Sequence, residues 1–292
     1  MTGVLAGALG LVVGLVIGTL GGGGGVLAVP ALVYALGQDA RTATTGSIVI
    51  VGIISAAGVL ARLRGRTIDW RTGVGFGIVG VPTAWAGSLL NRAVPQPVLL
   101  LSFAALTLAI AVLMLVKGGS SGRQADGAAV AETGAAAGAE PAPRTAGGPG
   151  TAGATAVLAA PARRSVARRI GRVVVAGSVV GFLTGFLGVG GGFLVVPALT
   201  MLMGLSMPAA IGTSLLVLTF NSISSMGARI GHLDLDWAVI GPFAAVAVLG
   251  ALGGKLVADR MSGAALNRAF AGLLVLVGLF VGVQSLVSIG VL

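Results

Sequence analysis

Leu20-Gly21-Gly22-Gly23-Gly24-Gly25-Val26-Leu27-Ala28-Val29-Pro30-Ala31-Leu32 returns 167 residues later as Leu187-Gly188-Val189-Gly190-Gly191-Gly192-Phe193-Leu194-Val195-Val196-Pro197-Ala198-Leu199. A register held over such a distance is the mark of an internal repeat. The same offset pairs Ser47 with Ser214, Ser55 with Ser222, Arg62 with Arg229, Asp69-Trp70 with Asp236-Trp237, and Gly87 with Gly254. Two copies follow, at 3–116 and 172–290, and three regions: a first repeat at 1–116, a linker at 117–171 and a second repeat at 172–292.

Outward from the glycine runs, each copy divides into five apolar segments. They are Gly3–Leu20, Val26–Leu36, Thr42–Ala61, Thr72–Leu90 and Val98–Val116, then Val173–Leu187, Phe193–Met203, Ala209–Ala228, Ala238–Val257 and Ala264–Val287. Most approach the roughly 20 residues that a helix needs to cross hydrocarbon. With 56% hydrophobic and 9% charged residues and a mean hydropathy of +1.05, no water-soluble surface can be assembled. Strand alternation is missing, which disfavours a β-barrel. The expected fold is an all-α polytopic membrane protein, placed in a bacterial inner membrane. Its 51 glycines imply helices that approach closely through small residues. The second segment of each copy is about half a bilayer long as a helix. It follows a glycine cluster, so a broken or re-entrant short helix is predicted, a form tolerated where the backbone is buried or lines a cavity.

Charge orients this array. Half of the net +10 lies between Lys117 and Arg172, which hold eight basic and three acidic residues. Basic residues beside membrane spans mark the cytoplasmic face, so this charge reads as topology and as attraction to lipid headgroups, not as a nucleic-acid footprint. Residues 118–162, rich in Ala, Gly, Pro, Ser and Thr, are expected to be disordered, whereas Arg163 to Arg172 can form a juxtamembrane helix. The first 40 residues carry no Lys or Arg, which argues against a secretory signal. In the first copy, Arg62, Arg64, Arg66 and Arg71 follow segment three and only Arg92 follows segment four; the second copy reverses this, with Arg229 against Lys255, Arg260 and Arg268. Inverted repeats are expected, with the linker inside and both chain ends outside. A parallel pair with four crossings per copy is the alternative.

The glycine clusters are also the leading candidate site. The first N–H groups of a helix lack intrahelical partners and carry partial positive charge, and glycine leaves them open to an anion. The candidate backbone donors are therefore Gly23, Gly24, Gly25, Gly190, Gly191 and Gly192, with close helix packing as their plainer role. Thr45, Ser47, Thr213, Ser214, Asn221 and Ser222 on segment three supply hydroxyl and amide donors, which cost less in lipid than charges. Such hydroxyls also bond their own backbone, and Asn221 can equally join two helices. Pro30 and Pro197 are expected to fix bends. Asp69 and Asp236 are expected to cap segment four beside interfacial Trp70 and Trp237. Arg62 and Arg229, at the end of segment three, either attract an anion to the mouth or snorkel to headgroups, snorkelling being the default, and Gly10→Ala, in an unbroken segment, should affect uptake mildly by comparison with Gly191→Val. The chain has no Cys and one His, His232, without a metal-ligand set, so no metal or cofactor is expected.

Gly190-Gly191-Gly192 with Pro197, Gly212-Thr213-Ser214-Leu215-Leu216, Asn221-Ser222 and Gly231-His232 through Asp236-Trp237 resemble the sulfite exporter TauE/SafE family, related to toluene sulfonate uptake permeases. The resemblance covers both copies and not the linker; at Thr44-Thr45-Gly46-Ser47 a glycine splits the family's Thr-Ser pair. It implies secondary transport of sulfite, an organosulfonate or a related sulfur anion, with the lipid bilayer and that anion as the chain's partners. A passive anion channel is the alternative. A membrane-embedded enzyme is remote, because the sole close carboxylate pair is Asp234 and Asp236.

Overall fold

The computed structural model describes residues 2–32, 37, 40–65, 67–91, 94–95, 98–116, 159–187, 192–227 and 237–288. Among these the chain is all helical: α1 Thr2–Leu20, α2 Gly25–Pro30, α3 Ala40–Arg62, α4 Trp70–Asn91, α5 Val98–Val116, α6 Ala159–Leu187, α7 Gly192–Met201, α8 Met207–Gly227, α9 Trp237–Arg260 and α10 Gly263–Ser288. Eight of them are long and apolar enough to cross a membrane, and α2 and α7 are short. The helix expected at Arg163 to Arg172 is continuous with the span, since α6 starts at Ala159. Residues 117–158, most of the linker, lie outside the described residues.

Glycine decides how these helices meet. Gly10, Gly14 and Gly18 of α1 lie against the backbone of Phe243, Ala247 and Ala251 of α9, in that order, so the two helices run in the same direction. Gly177, Gly181 and Gly185 of α6 meet Phe76, Gly80 and Ala84 of α4 in the same way, each pair displaced by the 167-residue offset. Small residues spaced four apart let backbones touch, which is the packing expected where lipid supplies no hydrophobic drive between helices. Among the helix pairs compared within the described residues, α1–α9 and α4–α6 pack most extensively. A Cβ on Gly10 would sit 2.5 Å from Phe243 O, so alanine there cannot be accommodated without parting the helices. An unbroken helix was no guarantee of open space, because the constraint comes from the neighbouring backbone.

At the centre, α3 and α8 cross. Gly52 lies on Ser222 and Gly58 on Leu215, so they run in opposite directions. The α5–α10 pair is also antiparallel, with Gly278 on Thr107, Gly282 near Ala104, and Asn267 Nδ2 donating to Met114 O at 3.0 Å.

Between α1 and α2 the chain reverses through a 3₁₀ turn, Gly21–Gly24, where Gly21 has φ +72°. Only glycine adopts that conformation without steric cost. Along the reversed stretch Gly25 faces Val51 and Leu32 faces Gly46, so it descends beside α3. The short helix predicted after the first glycine run is thus the returning arm of a buried hairpin.

Asp69 is a built N-cap. Its carboxylate accepts from Thr72 N at 3.2 Å and from Thr72 Oγ1 at 2.9 Å, and its carbonyl accepts from Gly73 N at 2.9 Å. Trp70 and Trp237 begin α4 and α9 with exposed rings. Asp236, Arg229 and His232 lie outside the described residues.

Candidate functional site

The first glycine turn is buried against α7 and α8. Gly22 N–H donates to Ser214 Oγ at 3.4 Å, and Ser214 Oγ donates to Ile211 O at 2.8 Å within α8. A Cβ on Gly21 would lie 2.5 Å from Ser214 Oγ, and one on Gly22 would overlap Gly192 O. The 3₁₀ turn before α2 therefore touches the first residue of α7, and Ser214 lies against its Gly21 and Gly22. Gly23 faces Phe270, Gly24 folds back on Ile17, and the Gly25 N–H is bonded to Gly22 O. Gly192 opens α7 and is buried; Gly190 and Gly191 lie outside the described residues.

The side-chain candidates divide. Ser214 is at the turn. Thr213, fully buried, accepts from Asp69 N at 3.0 Å, which joins α8 to the start of α4. Thr45 and Ser47 are buried near the start of α3, and neither is without a partner. Asn221 and Ser222 are half-buried about two turns further along α8, with Ser222 against Gly52, so the structure does not bring them to the glycine turn. Ser55, the counterpart of Ser222, is fully buried with an unpartnered hydroxyl.

Arg62 departs most from expectation. It does not snorkel: it is 4% exposed, and its Nη2 donates to Gly18 O in the last turn of α1. That carbonyl would ordinarily accept from Gly22 N–H, which turns instead to Ser214. The guanidinium thus takes the place of a helix donor at the break. Its Nη1 has no partner, and neither does Thr67 Oγ1. The two residues border a cavity of about 20 Å³ whose other walls are Pro208, Ile211, Ala258, Asp259 and Leu266, although these two atoms are themselves closed to a molecule the size of water. Asp259 is held at 2.6 Å by Lys255 one turn earlier. Arg64, Arg71, Arg172, Arg260 and Arg268 are exposed at this same end, fixed there by the cavity and the α4–α6 pairing.

The sequence profile described as Sulfite exporter TauE/SafE matches residues 6–281 of this chain. Similar curated proteins include a "Probable membrane transporter protein" of Xylella fastidiosa (strain 9a5c), 31% identical over 274 residues, an alignment covering 92% of this chain and 90% of that protein. The "Probable membrane transporter protein YunE" of Bacillus subtilis (strain 168) is 26% identical over 279 residues, covering 92% and 89%. No solved structure gives a significant match.

Proposed function

The chain belongs to the TauE/SafE sulfite exporter family of multi-pass membrane transporters, in a bacterium those of the cell membrane, and on that premise we propose that it is a secondary transporter of a small sulfur oxyanion, sulfite or a sulfonate. The reading rests on the apposition of Gly22 and Gly192 in the protein interior, with Ser214 at the junction. A glycine turn that leads into one short helix, set against the start of another, gathers N–H donors and partial positive charge without lysine or arginine. In the conformation described, the Gly22 and Gly25 N–H groups are engaged by Ser214 and Gly22 O. Binding at the turn by Gly23, Gly24, Gly25, Gly190, Gly191 and Gly192 therefore requires the turn to open. This favours an alternating transporter over a standing pore.

We read the two copies as inverted repeats. The antiparallel α3–α8 and α5–α10 pairs and the parallel α1–α9 and α4–α6 pairs support it, since parallel repeats would align α3 with α8. The crowding of basic residues at the end of α3, α5 and α9 supports a cytoplasmic linker. Solid-supported-membrane electrophysiology on the purified chain is the test, with sulfite, sulfoacetate, thiosulfate, sulfate and chloride applied in turn. Saturable currents for the sulfur oxyanions are expected. Flux that rises linearly with concentration for every anion, chloride included, would refute a carrier.

A further inference from the structure

We propose that Asn221, Ser222 and Ser225 line a water-filled vestibule that opens opposite the linker and descends α8 toward the glycine turn, with Leu218 as the barrier that closes it in this conformation. The vestibule deepens the transporter reading and rests on it only for the identity of what travels the path. α8 starts beside Arg62 at the linker end, so its last turns lie toward the other membrane face. There Asn221, Ser222, Ser224 and Ser225 crowd one stretch of a spanning helix, all of them half-buried. Polar side chains on a span face protein or water, because lipid leaves them unmet. Ser88 and Ser102, exposed hydroxyls on other spans, turn back on Trp85 O and Val98 O at 2.7 Å. Among the described residues Ser222 and Ser225 make no such bond to α8, and the Asn221 amide joins no other helix in the way Asn267 joins Met114 O. Protein does not satisfy these groups and lipid cannot, which leaves water.

Their placement gives the water a destination. Ser214, Leu218, Asn221 and Ser225 follow one another at spacings of four, three and four, which is one face of a helix, and Ser222 stands beside them. Ile223, on the opposite side of α8, is exposed as a lipid contact. Ser214 touches the glycine turn, and Asn221 lies about 10 Å further along the same face. Between them Leu218 is buried with its Cδ2 on Gly192, and so closes the way from Asn221 to Ser214. On the facing helix α3, Gly52 meets Ser222 and Gly58 meets Leu215, which brings Ser55 level with Leu218. Ser55 is fully buried with an unmet hydroxyl, a cost that a permanently sealed apolar junction has no reason to carry. Withdrawal of Leu218 opens that hydroxyl to water. The vestibule donors are uncharged, so they offer hydrogen bonds to an anion's oxygens without a fixed charge to detain it.

The chain contains no cysteine, so single thiols can be placed in it without background. Ser222→Cys, Ser225→Cys, Ile223→Cys at the same depth on the lipid face, and Gly150→Cys in the linker are exposed to a membrane-impermeant sulfonated methanethiosulfonate in right-side-out and everted vesicles. A thiol reacts as its thiolate, which needs water, so Ser222→Cys and Ser225→Cys should label at least about tenfold faster than Ile223→Cys. They should do so from the face on which Gly150→Cys is protected. Labelled Ser225→Cys should carry a several-fold smaller sulfoacetate current, its path obstructed by the adduct. Ser214→Cys should stay silent behind Leu218 and label once Leu218→Ala is added; Leu218→Val, a smaller truncation, repeats the test should the alanine variant not fold. Rates for Ser222→Cys and Ser225→Cys no faster than for Ile223→Cys, or labelling confined to the linker face, overturn the vestibule. Oxidation of Ser225→Cys to a cross-linked dimer makes the patch an interface between two copies and refutes it equally. A Ser214→Cys thiol that stays silent in a folded Leu218 variant removes Leu218 as the barrier. Fast labelling in a chain without saturable sulfoacetate current sinks the transporter reading and leaves the vestibule standing.

Discussion

Gly10→Ala and Gly177→Ala are one substitution at two glycines 167 residues apart, and their surroundings predict opposite results. On Gly10 the new methyl would stand 2.5 Å from Phe243 O and 3.3 Å from its Cα and carbonyl carbon. An ordinary contact begins at 3.4 Å, so α1 and α9 must part by nearly an ångström, and no side chain is in the way to rotate aside. A gap of that size forfeits about a quarter to a half of the dispersion energy of each contact it opens. Overpacking costs about 1–3 kcal/mol, and a backbone-on-backbone contact belongs at the upper end; the helix-propensity gain from Gly to Ala returns about 1 kcal/mol. The net expectation is a loss of about 2 kcal/mol. On Gly177 the methyl would lie 3.5 Å from Phe76 Cα and 3.7 Å from its carbonyl oxygen, ordinary contacts, so the propensity gain stands nearly alone. Gly177→Ala should be neutral or stabilising by up to about 1 kcal/mol. Melting of the detergent-purified variants, followed by tryptophan fluorescence, measures both. Equal melting temperatures for the two, or a more damaging effect at Gly177, would refute the argument from backbone approach.

Asp69→Ala removes the cap from Thr72 N and Thr72 Oγ1, and should cost about 0.5–2 kcal/mol while sparing flux per folded molecule. Loss of flux at an unchanged melting temperature would move Asp69 into the transport mechanism. Reporter fusions at Gly150 and at the C-terminus should fall on opposite sides of the membrane, the first in the cytoplasm; a shared side would defeat the inverted arrangement. Gly191→Val should abolish most saturable uptake by placing a side chain where the second glycine cluster would admit an anion, whereas Gly272→Ala, with nothing within 4 Å of its new methyl, should leave uptake unchanged. Normal transport by Gly191→Val would remove the glycine turns from the mechanism.

Segment positions were legible because lipid allows few solutions: long apolar runs bounded by charge become helices, and all ten predicted segments correspond to helices within a few residues at most ends, α6 reaching further back. The pairing of those helices was not legible. Gly10-xxx-Gly14-xxx-Gly18 announces a close neighbour and does not name it, since Phe243, Ala247 and Ala251 lie more than 200 residues away and are ordinary apolar residues. The Asp69 cap was readable because its partner, Thr72, is three residues on, within the range that local sequence specifies. Thr213 and Ser214 could be marked as important hydroxyls, but their partners Asp69 N and Gly22 N lie 144 and 192 residues away and became visible only in three dimensions.

Arg62 shows what a fuller account of the glycine break would have demanded. A break in a helix creates two sets of unpaired groups, N–H donors on the helix that follows and carbonyl acceptors on the helix that precedes. Sequence reasoning used the first set, which asks for an anion. The second set asks for a donor, and in a buried turn the donor must come from a residue long enough to reach inward from another helix. Gly22 N–H turns to Ser214, Gly18 O is left to be met, and Arg62 at the end of α3 meets it. Once drawn in, the guanidinium lies buried beside Thr67 and Asp259 at the end of α3. Structural need at the carbonyl end of the break thus buries a basic residue, so that the helix break and Arg62, separate features along the chain, form one device.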